Sequence, residues 1–253
     1  MRTWVRLEMV TFLTLAVLAA ASCGPKVPTT PTPVATPTPV SAPSPTPAAP
    51  VAPVISTRLD VDAGSVPPAG WKWVVAEIDT GTDPVTLQPT SHDYTYVFYV
   101  VKGSTQVGAD NVTKTVPAGE AVLIPAHQEH SHLYPPQSRV LAIHLRPADD
   151  PPGAKPHGGD RILLSDKPLV LETVSNLKLR VREFTLSPKS RAVDLAKYAN
   201  FGYVLEGTLA IVTDNDTIPV EANKVFALPL NGKIEARNES ATPLRFILVD
   251  VHP

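Results

Sequence analysis

The chain has 253 residues, a formal net charge of −2, 29 prolines and one cysteine. A near-neutral balance without a basic run excludes a nucleic-acid surface built on Lys and Arg. A lone thiol excludes an intramolecular disulfide, so an exported domain of this sequence is held by packing alone.

Arg2 and Arg6 precede an apolar run from Met9 to Ala21. That run is shorter than the roughly 20 residues that span a bilayer. Charge ahead of it and small residues behind it predict a secretory signal over residues 1–22. The stretch Ala20-Ala21-Ser22-Cys23 resembles a bacterial lipobox. The resemblance implies cleavage before Cys23 and lipidation of its thiol. Two or more acyl chains give a stable anchor, where one alone is marginal. The expected location is extracytoplasmic, on a bacterial cell membrane or envelope.

Residues 23–54 are rich in Pro, Thr, Ala and Val and carry almost no charge. Proline fixes φ and removes a donor, so this stretch predicts an extended, disordered linker. At about 3.1 Å per residue it reaches on the order of 90 Å.

Beyond it, short runs rich in Val, Ile, Tyr and Thr alternate with Pro, Gly, Asn and Asp. Trp71–Ile78, Tyr96–Val101, Ala121–Ile124 and Val140–Leu145 predict strands. Lys178–Phe184, Phe201–Leu205, Thr208–Val212, Val225–Leu228 and Phe246–Val251 predict further strands. Ala109-Asp110-Asn111 and Asp214-Asn215-Asp216 predict turns. Ser190–Tyr198 reads as a helix. Regular short strands with turn residues between them predict an all-β sandwich or barrel.

The pattern is written twice. Tyr99-Val100-Val101-Lys102-Gly103 returns as Tyr203-Val204-Leu205-Glu206-Gly207, and Ile124-Pro125 as Leu228-Pro229. Arg139–Leu145 likewise matches Arg245–Val251, with Asp149–Gly159 as the connector between the copies. The units are expected at 60–152 and 160–253. His92, His127, His130 and His132 lie in the first, with no histidine at the matching places of the second.

The Tyr-Val-x-x-Gly phrases ending at Gly103 and Gly207, Pro117-Ala118-Gly119-Glu120, Ile124-Pro125 and His130 together resemble the two cupin motifs. The chain is therefore similar to a bicupin, with two tandem double-stranded β-helix (RmlC-like jelly-roll) barrels after the signal and linker. Metal-binding cupins place two His and a Glu on the first motif and one His on the second. Carried over, His130 falls on the second-motif His and His92 on the second His of the first motif. Thr90 and Tyr96 stand at the other two positions, so two of four family ligands are replaced. In the second unit Asn200 and Ile234 stand at the Glu and His positions, which reads as a degenerate barrel.

Strand period two adds to this. Residues i and i+2 share a face, so His132 accompanies His130, and Thr90, His92, Tyr94 and Tyr96 share another. The candidate metal ligands are His92, His130 and His132, for Zn, Mn, Fe or Cu. Tyr94, Tyr96, Tyr99 and His127 are the candidate ligand-binding residues, and Tyr96 is the candidate catalytic acid. His144 reads as a buried polar residue rather than a ligand. Three functions remain open: binding of a small carboxylate, sugar-like compound or metal; a metal-dependent oxygenase, isomerase or hydrolase; or a structural envelope protein. The expected partners are a small molecule, the membrane through the lipid alone and a second copy as a homodimer, with no nucleic acid. P-loop, Rossmann and Gly-x-Ser-x-Gly patterns are not found.

Overall fold

The computed structural model describes residues 51–62, 71–147, 161–164, 168–169, 178–193, 195, 199–228 and 234–252. The expected signal, Cys23, most of the linker and the Asp149–Gly159 connector lie outside them. No helix among the described residues is long and apolar enough to cross a membrane.

The described elements are strands. The first copy holds β1 (Val54–Asp62), β2 (Trp71–Asp79), β3 (Val85–Thr90), β4 (Tyr96–Lys102), β5 (Ser104–Ala109), β6 (Val112–Pro117), β7 (Ala121–Ile124), β8 (His130–Tyr134) and β9 (Arg139–Pro147). The second holds β10 (Arg161–Leu164), β11 (Pro168–Leu169), β12 (Lys178–Leu186), β13 (Arg191–Val193), β14 (Ala199–Glu206), β15 (Thr208–Val212), β16 (Thr217–Glu221), β17 (Val225–Leu228), β18 (Glu235–Arg237) and β19 (Leu244–His252). The helix expected from Ser190 is not formed where the chain is described. Arg191–Val193 pairs antiparallel with Arg237–Glu235 instead, and the ladder satisfies that backbone.

Each barrel is a pair of facing sheets. The first joins β10-β2-β9-β4-β7 to β3-β8-β5-β6, and the second joins β1-β12-β19-β14-β17 to β13-β18-β15-β16. The orders correspond strand for strand. The leading strand of each copy, β1 or β10, pairs with the other copy's sheet. The repeated glycines stand at left-handed φ, +73° at Gly103 and +84° at Gly207. A Cβ on Gly103 would lie 2.7 Å from Ser138 Oγ. Asp110 and Asn111, both at positive φ, close the expected two-residue hairpin turn.

One apolar cluster joins the barrels. Trp73, Val97, Tyr99 and Leu141 pack with Val181, Phe201, Tyr203 and Val249. Polar contacts ring it. Tyr99 Oη donates to Glu183 Oε2 at 3.2 Å, and Arg58 and Arg245 clamp the same carboxylate. Burial raises the Glu183 pKa, but hydrogen bonds and charge from Arg245 and Arg58 outweigh it and hold the group below the usual range. Each barrel also keeps its own interior cluster, around Phe98 in the first and Phe246 in the second.

Candidate ligand site in the first barrel

The site grows from one short strand. On β8, His130, His132 and Tyr134 are buried, whereas Ser131 and Leu133 are half-exposed. This is the alternation that period two requires, and it turns both imidazoles inward. The ladders fix their height: His130 sits between Thr90 and Ala109, and His132 between Leu87 and Val107. From the facing sheet come Tyr96 and His144, opposite each other in the β4–β9 ladder. His92 lies in the connection after β3. Its carbonyl accepts the His127 backbone N–H at 2.7 Å, which ties that connection to the turn before β8.

The rings meet. His130 lies 5.2 Å from His92 and 5.0 Å from His132, centroid to centroid. Tyr96 lies 4.4 Å from His92 and packs against His144 at 3.9 Å, edge to face. Phe98 and Tyr134 flank His132 from either side. Arg146 sits 5.6 Å from the Tyr94 ring at the margin of the group. His130 also borders a cavity of about 490 Å³ beside Pro89, Asp110, Thr113 and Glu129.

Burial sets the protonation. It lowers the His132 pKa to about 3, with the neighbouring His130 and His92 adding to the shift. Burial, then His130 and Arg146, lowers His92 to about 4 against a small opposing effect of Asp93. Both rings are neutral at pH 7. His130 Nδ1 lies 2.8 Å from the Gln128 carbonyl oxygen, which can only accept. Nδ1 therefore carries a proton, and in the neutral imidazole Nε2 is the acceptor.

The sequence-derived set divides by place. His92, His130, His132 and Tyr96 come together, with Tyr94 at the rim. Tyr99 does not join them, because its strand turns it to the opposite face and into the inter-barrel cluster. His127 is at positive φ on the turn, with 76% of its side chain exposed, 3.7 Å from Asp93. His144 and Arg146 are the residues that sequence reasoning left aside. Their signal was the β9 alternation, which places them on one face with Ala142.

The test for a metal is the arrangement of donors. Among the described residues, no three His, Cys, Asp or Glu side chains are set to hold a metal ion. The trio of imidazoles has the chemistry for a transition metal but not the convergence, so ligation needs the rings to turn.

The second barrel differs at each matching place. Ile234 and Ala236 replace the two imidazoles, and both belong to its apolar cluster. Gly202 pairs with Phe226 where Phe98 pairs with Val122. The large ring thus comes from the opposite strand. A Cβ on Gly202 would lie 2.1 Å from Phe226 Cζ, so only glycine fits. Asp250 takes the place of His144 and is fully buried.

No protein-family model matches the chain, and no curated protein matches it. Solved structures do. AerE from Microcystis aeruginosa superposes over 78% of this chain and 99% of its own, with 13% identity and a TM-score of 0.52. A Bacillus subtilis oxalate decarboxylase mutant gives 77% and 77%, 10% and 0.52. The formate complex of Lactobacillus farciminis oxalate decarboxylase gives 76% and 85%, 12% and 0.53. At these identities the likeness is one of fold. The chain has the all-β cupin-type jelly-roll architecture, twice over.

Proposed function

We propose that the protein is an extracytoplasmic lipoprotein, anchored through Cys23, whose first barrel binds a small hydrogen-bond-donating molecule. The lone cysteine after a short apolar run supports the anchor, and the proline-rich stretch supports a stalk beneath the barrels. The binding reading rests on one observation. The Gln128 carbonyl orients the His130 ring through Nδ1–H, so that the neutral imidazole presents Nε2 as its acceptor among the rings of His92, His132 and Tyr96. An apolar pocket with a few oriented polar groups is the usual form of a small-molecule site. Tyr96 supplies a hydroxyl beside it.

A second reading draws on the 5.0 and 5.2 Å ring separations and requires the rings to turn: His92, His130 and His132 then hold a divalent Zn, Mn, Fe or Cu ion. Such a site could then serve an oxygenase, isomerase or hydrolase. Elemental analysis of the purified protein, with melting temperature measured against each metal, separates the two. Stoichiometric metal that His130→Ala abolishes and His144→Ala retains establishes the second reading. Substoichiometric metal without a thermal shift removes it. The binding reading is tested by screening small hydroxy compounds and sugars for stabilisation that His130→Ala erases. Equal stabilisation in His130→Ala refutes it.

A further inference from the structure

The second barrel has no imidazole at the places that match the first-barrel cluster, yet its interior is not wholly apolar. Arg180 and Arg182, alternate residues of β12, share a face, and Asp250 of β19 stands directly opposite Arg180. Arg180 donates to Asp250 Oδ1 through Nε at 3.1 Å and lies 2.9 Å from it through Nη2. Arg182 Nη2 donates to Oδ2 at 2.8 Å. Both carboxylate oxygens are thus engaged, and the acid is fully buried. The corresponding residues of the first barrel are Val74, Ala76 and His144, so two long cations stand where small apolar side chains suffice for the fold.

The balance of charge and donors is uneven. Two guanidiniums face one carboxylate, and neither makes another ion pair among the described residues. Their side chains are 23% and 20% exposed, so they reach solvent while most of each is enclosed. Arg182 Nε is buried and has no hydrogen-bond partner among the described residues. Its guanidinium is 5.4 Å from the Phe184 ring, which holds the fork in place. A buried N–H without an acceptor is destabilising, because its lost hydration is not replaced. A small anion beside Arg182 would accept that N–H and neutralise the surplus charge. The planar fork matches a carboxylate, with two parallel N–H donors for two oxygens.

The geometry points to a small-carboxylate site in the second barrel, formed by Arg180 and Arg182 and oriented by Asp250. It is separate from the first-barrel reading and does not depend on it.

The test uses the full-length protein in detergent with acetate as probe, and chloride and phosphate at matched ionic strength. Acetate is expected to raise the melting temperature saturably, beyond either control, and to show broadened ¹³C resonances. Arg182→Met should weaken acetate at least tenfold. If that variant does not fold, Arg182→Lys keeps the charge without Nε and should weaken it at least fivefold. His130→Ala should leave the acetate response unchanged. A response equal to that of chloride, an unaltered affinity in the Arg182 variants, or loss in His130→Ala overturns the assignment. A stronger response to phosphate than to acetate overturns the carboxylate class.

Discussion

The two barrels share strand order, paired sheets and left-handed glycines, and differ in what fills them. In the first, His130 and His132 point into the interior; at the matching places of the repeat the second carries buried Ile234 and Ala236. Opposite them, Tyr96 pairs with His144 in one barrel, and Asp250 is clamped by two arginines in the other. The comparison separates scaffold from filling. Turns, glycines and exchanged leading strands specify the architecture, and both copies keep them. Interior side chains can then diverge, because each barrel needs only a closed volume with its polar groups satisfied.

The largest way to break this comparison is at the matched pair of position 250 and position 144. Asp250→Ala strips from two enclosed guanidiniums the carboxylate that both engage and should cost about 3–5 kcal/mol, read by chemical denaturation. His144→Leu replaces a buried ring with an apolar side chain of similar size and should cost less than about 2 kcal/mol. Equal losses would mean that the two residues do the same structural work. Next comes the transposed ring. Gly202→Phe alone overpacks the second barrel against Phe226 and the Ile247 carbonyl, a loss of about 3 kcal/mol. Adding Phe226→Val recreates the arrangement of Phe98 and Val122 and should recover about 2 kcal/mol of it, a coupling visible in a double-mutant cycle. An additive cycle would show that the barrels are not interchangeable layer by layer.

Much of this was legible in the chain. The repeat and its turn residues carry architecture because they act locally: Gly103 and Gly207 need positive φ wherever they fold, and Asp110-Asn111 closes a hairpin without help from distant residues. Alternation on β8 placed His130 and His132 correctly on one face. Reading Tyr99 as a site residue met a limit of local pattern. It is three residues from Tyr96 on a strand, so period two turns it outward, and its partner Glu183 lies in the other copy. The Arg180–Asp250–Arg182 group shows a related limit. Alternating arginines on a strand read as anion contacts or, more often, as a solvated face, and the buried acid on the opposite strand is what separates the two. Ser190–Tyr198 read as helix because nothing local announces that Arg191–Val193 has a strand beside it.

Acid sharpens the contrast with a smaller effect. His92 and His132 are neutral in the fold, with pKa values near 4 and 3, whereas an unfolded imidazole titrates near 6.5. Above pH 6.5 neither state binds the proton and the imidazoles leave stability unchanged. Below it the unfolded chain takes up protons that the fold refuses, so stability falls as pH drops from 6.5 toward 4. Glu183 acts in a lower window, since its depressed pKa stabilises the fold above the ordinary carboxylate range and is lost only beneath it. Denaturation at pH 6.5 and 4.5 should therefore differ by about 2 kcal/mol more in wild type than in His132→Phe. An unchanged slope in that variant would mean that the imidazole is solvated in solution.

The smallest effect belongs to the one site candidate that faces water. His127 is largely exposed, sits at a φ of +63° and lies 3.7 Å from Asp93. His127→Ala should change stability by less than about 0.5 kcal/mol. His127→Gly should stabilise by up to about 1 kcal/mol, because glycine adopts that φ without a Cβ penalty. Neither should alter ligand affinity, since the backbone N–H that holds the His92 carbonyl survives both changes. A tenfold loss of affinity in His127→Ala would move recognition from the ring cluster to the turn above it. His130 would then act by shaping that turn through Gln128 rather than by meeting the ligand.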